Sequence, residues 1–278
     1  MITNFVNFSA KHPIAWLAIL VAIQLTTTRA PHASEPPQVT SSCGKTSEKL
    51  ALELTLTTLA FAKGAGFEVP QLLRIELTGY EIHPGFYREQ NLIKVRCFRP
   101  AGLIHEIGHS VFEKNLTDLG SHENPTHDSF MTDAYSELFS DLLAVELLKR
   151  SDAISKEVKH DFKKSIHQHE RDFKRRQQDP GYSLVTDDSD SYNAADTVRT
   201  HLWNQFLSPN GFTPLRRSAK PGDRSLQWLL WSFFRAFSSN ATQCQLESSF
   251  ADQMNCTNKA VIGELNHYSG HRPKQCAD

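Results

Sequence analysis

The sequence predicts an α+β fold in which a small strand-containing lobe precedes a helical lobe. Short apolar runs occur early, at Leu72–Leu77 and Leu92–Phe98, and predict strands. From Ala101 onward, apolar residues recur every three or four positions, which predicts helices. With 39% hydrophobic and 22% charged residues among 278, the composition is that of a globular protein. Strands followed by helices are typical of the α+β class.

The N-terminal lobe is expected to span residues 34–120. A helix is predicted over Thr46–Lys63, because its apolar residues recur at helical spacing and Gly64 is a suitable stop. A third extended piece, Glu81–Arg88, contains a Pro-Gly break. The stretch Pro31–Ser42 is rich in Pro and Ser and is expected to be a flexible leader.

The C-terminal lobe, residues 121–278, is expected to be helical. The last predicted helix of the first lobe, Ala101–Lys114, comes directly before it in the chain. The most informative motif of the sequence lies on that helix, at the junction of the two lobes. The helices are predicted over Ala101–Lys114, Ser129–Arg150, Ile154–Phe173, Ala194–Leu207 and Ser225–Phe237.

The first residues have the pattern of an export signal. Lys11 precedes an apolar run, Ile14–Ile23, and small residues follow as far as Ala33. The run is shorter than the ~20 residues that span a bilayer. We therefore expect residues 1–33 to be a removed signal peptide, with an uncleaved anchor as the alternative. The mature protein would be secreted or periplasmic without stable membrane insertion, and a net charge of −1 does not favour nucleic acid.

Five cysteines follow the predicted signal, and export makes disulfides possible. Cys244, Cys256 and Cys276 are close enough in sequence to form one C-terminal disulfide, and Cys43 with Cys97 is a second candidate pair. The odd count leaves at least one thiol without a partner in the chain. No pair has the Cys-x-x-Cys spacing of a thiolate zinc site, and the sequence leaves the pairing open.

The central motif is His105-Glu106-Ile107-Gly108-His109. On a helix, residues four apart share a face, so both imidazoles can bind one ion. Zinc suits this arrangement, because it keeps a position open for water and brings the pKa of that water near neutral. Glu106 is then placed to act as the general base. A catalytic zinc needs a third protein ligand, and Glu137 on the next predicted helix is the candidate. Asp141 lies four residues later and can orient a ligand histidine.

The pattern His-Glu-x-x-His followed by Glu-x-x-x-Asp resembles the gluzincin zinc metallopeptidases of the thermolysin type. The resemblance implies a zincin-like fold, hydrolysis of peptide or protein substrates, Glu137 as third ligand and Asp141 as the orienting carboxylate. It also implies a late histidine that stabilises the oxyanion, with an aspartate five residues earlier, here His201 and Asp196. A strand at Asn91–Val95 stands where zincins have the edge strand that pairs with substrate.

Several alternatives remain open. His122 or His127 could be the third ligand, and Tyr135 or Tyr192 could replace His201 as oxyanion donor. The metzincin pattern does not fit, since Phe112 and Asn115 stand where it requires Gly and His.

The same site could serve a zinc amidase or endopeptidase on cell-wall peptides, or zinc could be purely structural in a non-catalytic binding module. A basic run, Lys163–Arg176, and an acidic loop, Asp187–Ser191, are interpreted as solvated surface. The sequence predicts no oligomeric state.

Overall fold

The computed structural model describes residues 36–79, 85–97, 99–118, 130–148, 194–207, 224–240, 244 and 249–270. The described part is a mixed α+β structure, mostly helical with a small four-stranded sheet, which confirms the predicted fold class. The strands are β1 (Gln38–Ser41), β2 (Arg74–Thr78), β3 (Gly85–Tyr87) and β4 (Leu92–Arg96). The helices are α1 (Lys45–Gly64), α2 (Pro100–Asp118), α3 (Phe130–Leu148), α4 (Asp196–Leu202), α5 (Arg224–Asn240) and α6 (Phe250–Gly270).

The sheet has the order β1-β2-β4-β3. Strands β1, β2 and β4 run parallel, and β3 pairs antiparallel with β4. The apolar residues of the two central strands are buried under the helices, whereas the residues between them are partly exposed. The buried residues are Ile75, Leu77, Ile93 and Val95.

The expectation that Asn91–Val95 forms the edge of the sheet is wrong. A 3₁₀ turn at Arg88–Gln90 and a left-handed Asn91, with φ of 47°, reverse the chain. The preceding residues Gly85–Tyr87 therefore fold back onto β4 and cover its free side. Strand β3 is the edge, and β4 lies between β2 and β3.

Part of the predicted leader is ordered, so that expectation is also corrected. Gln38–Ser41 forms β1, which pairs with Arg74–Leu77 of β2. Local composition could not indicate this, because the strand is defined by its partner 36 residues later in the chain. The rest of the leader and the predicted signal peptide lie outside the described residues.

The predicted helices are present within a few residues of their expected bounds, apart from Ile154–Phe173, which lies outside the described residues. The segment Ala194–Leu207 divides into α4 and a π-helical turn, Trp203–Leu207. Helix α6 was not predicted. Its buried face includes Thr257 and Asn258 beside Met254, so polar residues interrupt the apolar pattern.

The described residues include two disulfides. Cys43–Cys97 joins the end of β1 to the end of β4, across β2. Cys244–Cys256 joins the segment after α5 to α6. Both agree with the candidate pairs, and Cys276 lies outside the described residues. Within the part of the chain that the structure describes, no helix has the length and apolar character needed to cross a membrane.

Helices α2 and α3 pack closely along each other and carry the candidate site between them. A glycine permits this approach: a Cβ built on Gly108 would lie 2.7 Å from the Cα and Oγ of Ser140 on α3. On the same pair of helices, Phe112 and Phe139 pack with Phe67 and with Phe234 of α5 in an aromatic cluster. The cluster fixes the spacing of the two helices from one side.

Candidate metal centre

His105 and His109 occupy one face of α2, one turn apart, and Glu137 approaches them from α3. The two Nε2 atoms are 3.0 Å apart. The carboxylate of Glu137 is 3.1 Å from Nε2 of His105 and 3.5 Å from Nε2 of His109. These are the three residues that could hold a metal ion in the described part of the chain, with all three ligand atoms within 4.8 Å of one another.

The other nitrogen of each ring contacts a residue of α3. Nδ1 of His109 is 2.7 Å from the hydroxyl oxygen of Ser136. Nδ1 of His105 is 3.0 Å from Oδ1 of Asp141. A carboxylate can only accept, so the contact with Asp141 favours the tautomer of His105 with a proton on Nδ1. The hydroxyl of Ser136 can accept a hydrogen bond from Nδ1 of His109 in the same way. Both Nε2 lone pairs then point into the space that they share with Glu137.

Acceptors alone would repel one another at these distances, so either a proton or a metal cation must lie between them. Two atoms bound at ~2.05 Å to a tetrahedral ion lie ~3.3 Å apart. The two Nε2 atoms are 3.0 Å apart, and Oε2 and Oε1 of Glu137 lie 3.1 and 3.5 Å from Nε2 of His105 and of His109, so the separations bracket that value. The donors therefore fit a metal ion in spacing and in chemistry. Two imidazoles and a carboxylate suit zinc and also other first-row divalent metals, so they leave the identity of the ion open.

The pKa of His105 is a second indication that the site favours a positive charge between its ligands. Burial disfavours the charged imidazole, but the charges of Glu137 and Asp141 outweigh it and raise the pKa of His105 to about 9. In the metal-free protein a proton therefore stands in for the ion at neutral pH. Binding of a metal must displace that proton.

A buried arginine, which the sequence analysis did not single out, completes the group behind His105. Arg199 of α4 is 1% exposed, and its Nη1 lies 2.7 Å from Oδ2 of Asp141. Its Nε lies 3.2 Å from Oδ1 of Asp196, three residues earlier on the same helix. A single arginine between Asp196 and His201 carries no periodic or spacing signal of its own, so sequence analysis could not single it out.

The remaining predicted site residues lie in different surroundings. Glu106 is next to His105 on α2 and is 8% exposed. Asp196 contacts Arg199, and His201 instead hydrogen-bonds with Asn266 of α6 and packs its ring on Phe206. Burial lowers the pKa of His201 despite that hydrogen bond. The catalytic roles of Glu106 and His201 remain predictions.

Tyr135 does not fit the oxyanion role considered for it. Its ring is fully buried on α3, and its hydroxyl donates to Oδ1 of Asn258 at 2.8 Å. Burial also raises the pKa of the Tyr135 hydroxyl. The amide of Asn258 donates in turn to the carbonyl of Ala194, so Tyr135 is part of an internal brace. The alternatives His122, His127 and Tyr192 lie outside the described residues.

Comparisons of the chain with protein-family models, with curated proteins and with solved structures found no match. The chemistry of the site therefore carries the functional proposal.

Proposed function

We propose that this protein is an exported metal-dependent peptidase of the gluzincin type, with a zincin-like arrangement of two lobes around zinc. One observation carries the proposal: two histidines of a His-Glu-x-x-His helix and a glutamate of the next helix converge through atoms 3.0 to 3.5 Å apart. Oδ1 of Asp141 contacts Nδ1 of His105, in the orienting position that the resemblance implies. Substrates are peptides or proteins.

The residues of the chain divide the work. His105, His109 and Glu137 would hold the ion, which when bound would polarise the scissile carbonyl and lower the pKa of water at the site. Glu106 takes the proton from the attacking water and delivers it to the leaving nitrogen. Glu106 follows His105 directly on α2 and is 8% exposed, so its carboxylate stands beside the ligand pair with limited access to bulk solvent.

His201 is retained as a candidate oxyanion donor. Its lowered pKa keeps the imidazole neutral at pH 7, and a neutral ring still donates one N–H. Donation of a hydrogen bond to a developing negative charge contributes roughly 10² in rate in comparable sites. Its contacts with Asn266 and Phe206 fix the ring on the side of α6.

Export is part of the proposal. The described residues include two disulfides, Cys43–Cys97 and Cys244–Cys256, and disulfides form and persist in oxidising compartments. We therefore propose a secreted or periplasmic location, with residues 1–33 removed. N-terminal sequencing of the protein recovered from culture medium or periplasm checks this directly.

The test of function separates metal binding from catalysis. Glu106→Gln should keep zinc, measured by elemental analysis, and lower hydrolysis of casein by at least ~10². His105→Ala should lose both zinc and hydrolysis. Glu53→Gln is the matched control, because Glu53 pairs with Lys49 on the surface of α1. Full activity in Glu106→Gln contradicts the proposal.

The same assay separates the alternatives. Hydrolysis of purified wall peptides without hydrolysis of casein indicates an amidase or endopeptidase of the cell wall. Zinc binding without hydrolysis of either substrate indicates a non-catalytic module. Loss of zinc on replacing His122 or His127, but not on Glu137→Ala, assigns the third ligand to the loop.

A further inference from the structure

The strongest unexplained feature near the metal centre is the charge of Arg199. Its side chain is 1% exposed, and two carboxylates contact it, those of Asp141 and Asp196. Burial of a guanidinium costs several kcal/mol unless paired charges and hydrogen bonds compensate it. An apolar residue of the same size could fill this space at lower cost, so the charge points to a role besides packing.

The geometry of Asp141 indicates what that role is. Asp141 is 0% exposed, and its two oxygens contact different partners. Oδ1 lies 3.0 Å from Nδ1 of His105, and Oδ2 lies 2.7 Å from Nη1 of Arg199. Rotation of the carboxylate would break one contact or both, and at 0% exposure bulk solvent cannot reach Asp141 to replace them.

The position of Arg199 is itself fixed. Its Nε donates to Asp196 within the first turn of α4, at 3.2 Å. The Nε of the guanidinium therefore bonds within its own helix, and its Nη1 is directed at Asp141. This ties the placement of α4 to the orientation of a carboxylate on α3.

We propose that Arg199 is a positioning residue of the metal centre, which acts on His105 through Asp141. It holds the carboxylate so that His105 presents Nε2 to the ion, and it balances the negative charge that this orientation buries. The inference rests on the metal group of the proposed function but not on peptide hydrolysis. It assigns to α4 a function at the metal site that does not involve contact with substrate.

A double-mutant cycle on the purified full chain tests the proposal, with Zn²⁺ affinity measured by chelator competition. Arg199→Met should lower the affinity by about ten- to a hundredfold, the usual effect of losing support behind a ligand. In an Asp141→Asn background the same change should have less than about a twofold effect, since the route through Asp141 is already lost. Arg235→Met, at an exposed position of α5, is the control.

A structural role without positioning gives a different result. If Arg199 only packs α4, Arg199→Met lowers the affinity equally in both backgrounds, which overturns the proposal, as does an unchanged affinity. The visible spectrum of the Co²⁺-loaded protein should change in Arg199→Met and not in Arg235→Met, because it reports ligand geometry. If Arg199→Met does not fold, Asp196→Asn replaces it in the cycle with the same two outcomes. Each measurement follows metal, so it stands even if no peptide is hydrolysed.

Discussion

Replacing Gly108 by alanine should disturb the metal centre without touching a ligand. The added Cβ would lie 2.7 Å from Cα and Oγ of Ser140 and 2.9 Å from its Cβ, whereas ordinary contact begins at 3.4 Å. Backbone cannot rotate away as a side chain can, so α2 and α3 must separate by about 0.7 Å, the difference between 3.4 and 2.7 Å. The clash falls within one turn of both ligand histidines.

The magnitude follows from that displacement. Overpacking of this kind costs roughly 1–3 kcal/mol. Alanine in a helix regains at most about 1 kcal/mol over glycine, so we expect a net loss of stability. A metal site tolerates roughly ±0.2 Å in its ligand distances, so a separation of 0.7 Å between the helices that carry the ligands should also weaken metal binding, by at least about tenfold.

The control is Gly263→Ala on α6, where an added Cβ meets nothing within 4 Å. This variant should gain about 0.5–1 kcal/mol from helix propensity and keep its metal affinity. Urea unfolding and Zn²⁺ competition measure both quantities for both variants. If Gly108→Ala binds Zn²⁺ as tightly as the parent protein, the close packing of α2 on α3 does not set the ligand geometry.

Three further predictions concern the protonation of His105, the contact of Ser136 with His109, and the disulfide that joins β1 to β4. In the metal-free protein, the stabilisation from protonated His105 is complete below its ordinary pKa of 6.5 and is lost as pH rises through about 9. The loss in the free energy of unfolding is roughly 3 kcal/mol. Urea unfolding across pH 6 to 10 in the presence of chelator should show this loss, and a flat profile contradicts it. Ser136→Ala should lower Zn²⁺ affinity about tenfold, whereas Ser136→Thr, which keeps the hydroxyl, should restore it. Loss of the Cys43–Cys97 disulfide, which closes 54 residues, should lower the free energy of unfolding by about 4 kcal/mol. Urea unfolding of a variant that lacks this disulfide and retains the other one measures the loss.

The parts of the site that the sequence predicted are those set by local geometry. His105 and His109 share a helix face because residues four apart always do, and Glu137 and Asp141 follow the same rule on α3. Arg199 could not be predicted, since its contact with Asp141 joins residues 58 apart. No property of a helix or strand indicates such a contact before the fold is known.

The fold shows the same division. Helices α1, α2 and α3 have clear apolar periodicity and were predicted nearly to their ends. Strand β1 was missed because Gln38–Ser41 becomes a strand only by pairing with β2. The edge of the sheet was misplaced because the turn before Asn91 returns the chain onto β4. Strand order depends on such long-range pairing, which local patterns do not record.

The brace through Asn258 has a consequence for the order in which the protein matures during synthesis. The hydroxyl of Tyr135 has its partner 123 positions later in the chain. While the ribosome is still making the residues between them, the helix that bears Glu137 has emerged without the group that satisfies this hydroxyl. Until α5 and α6 are made, water can satisfy that hydroxyl, and the hydrogen bond that joins α3 to α6 does not yet hold the helix in place. The metal ligands are thus made early, whereas the brace that joins the helix of Glu137 to α6 is completed late.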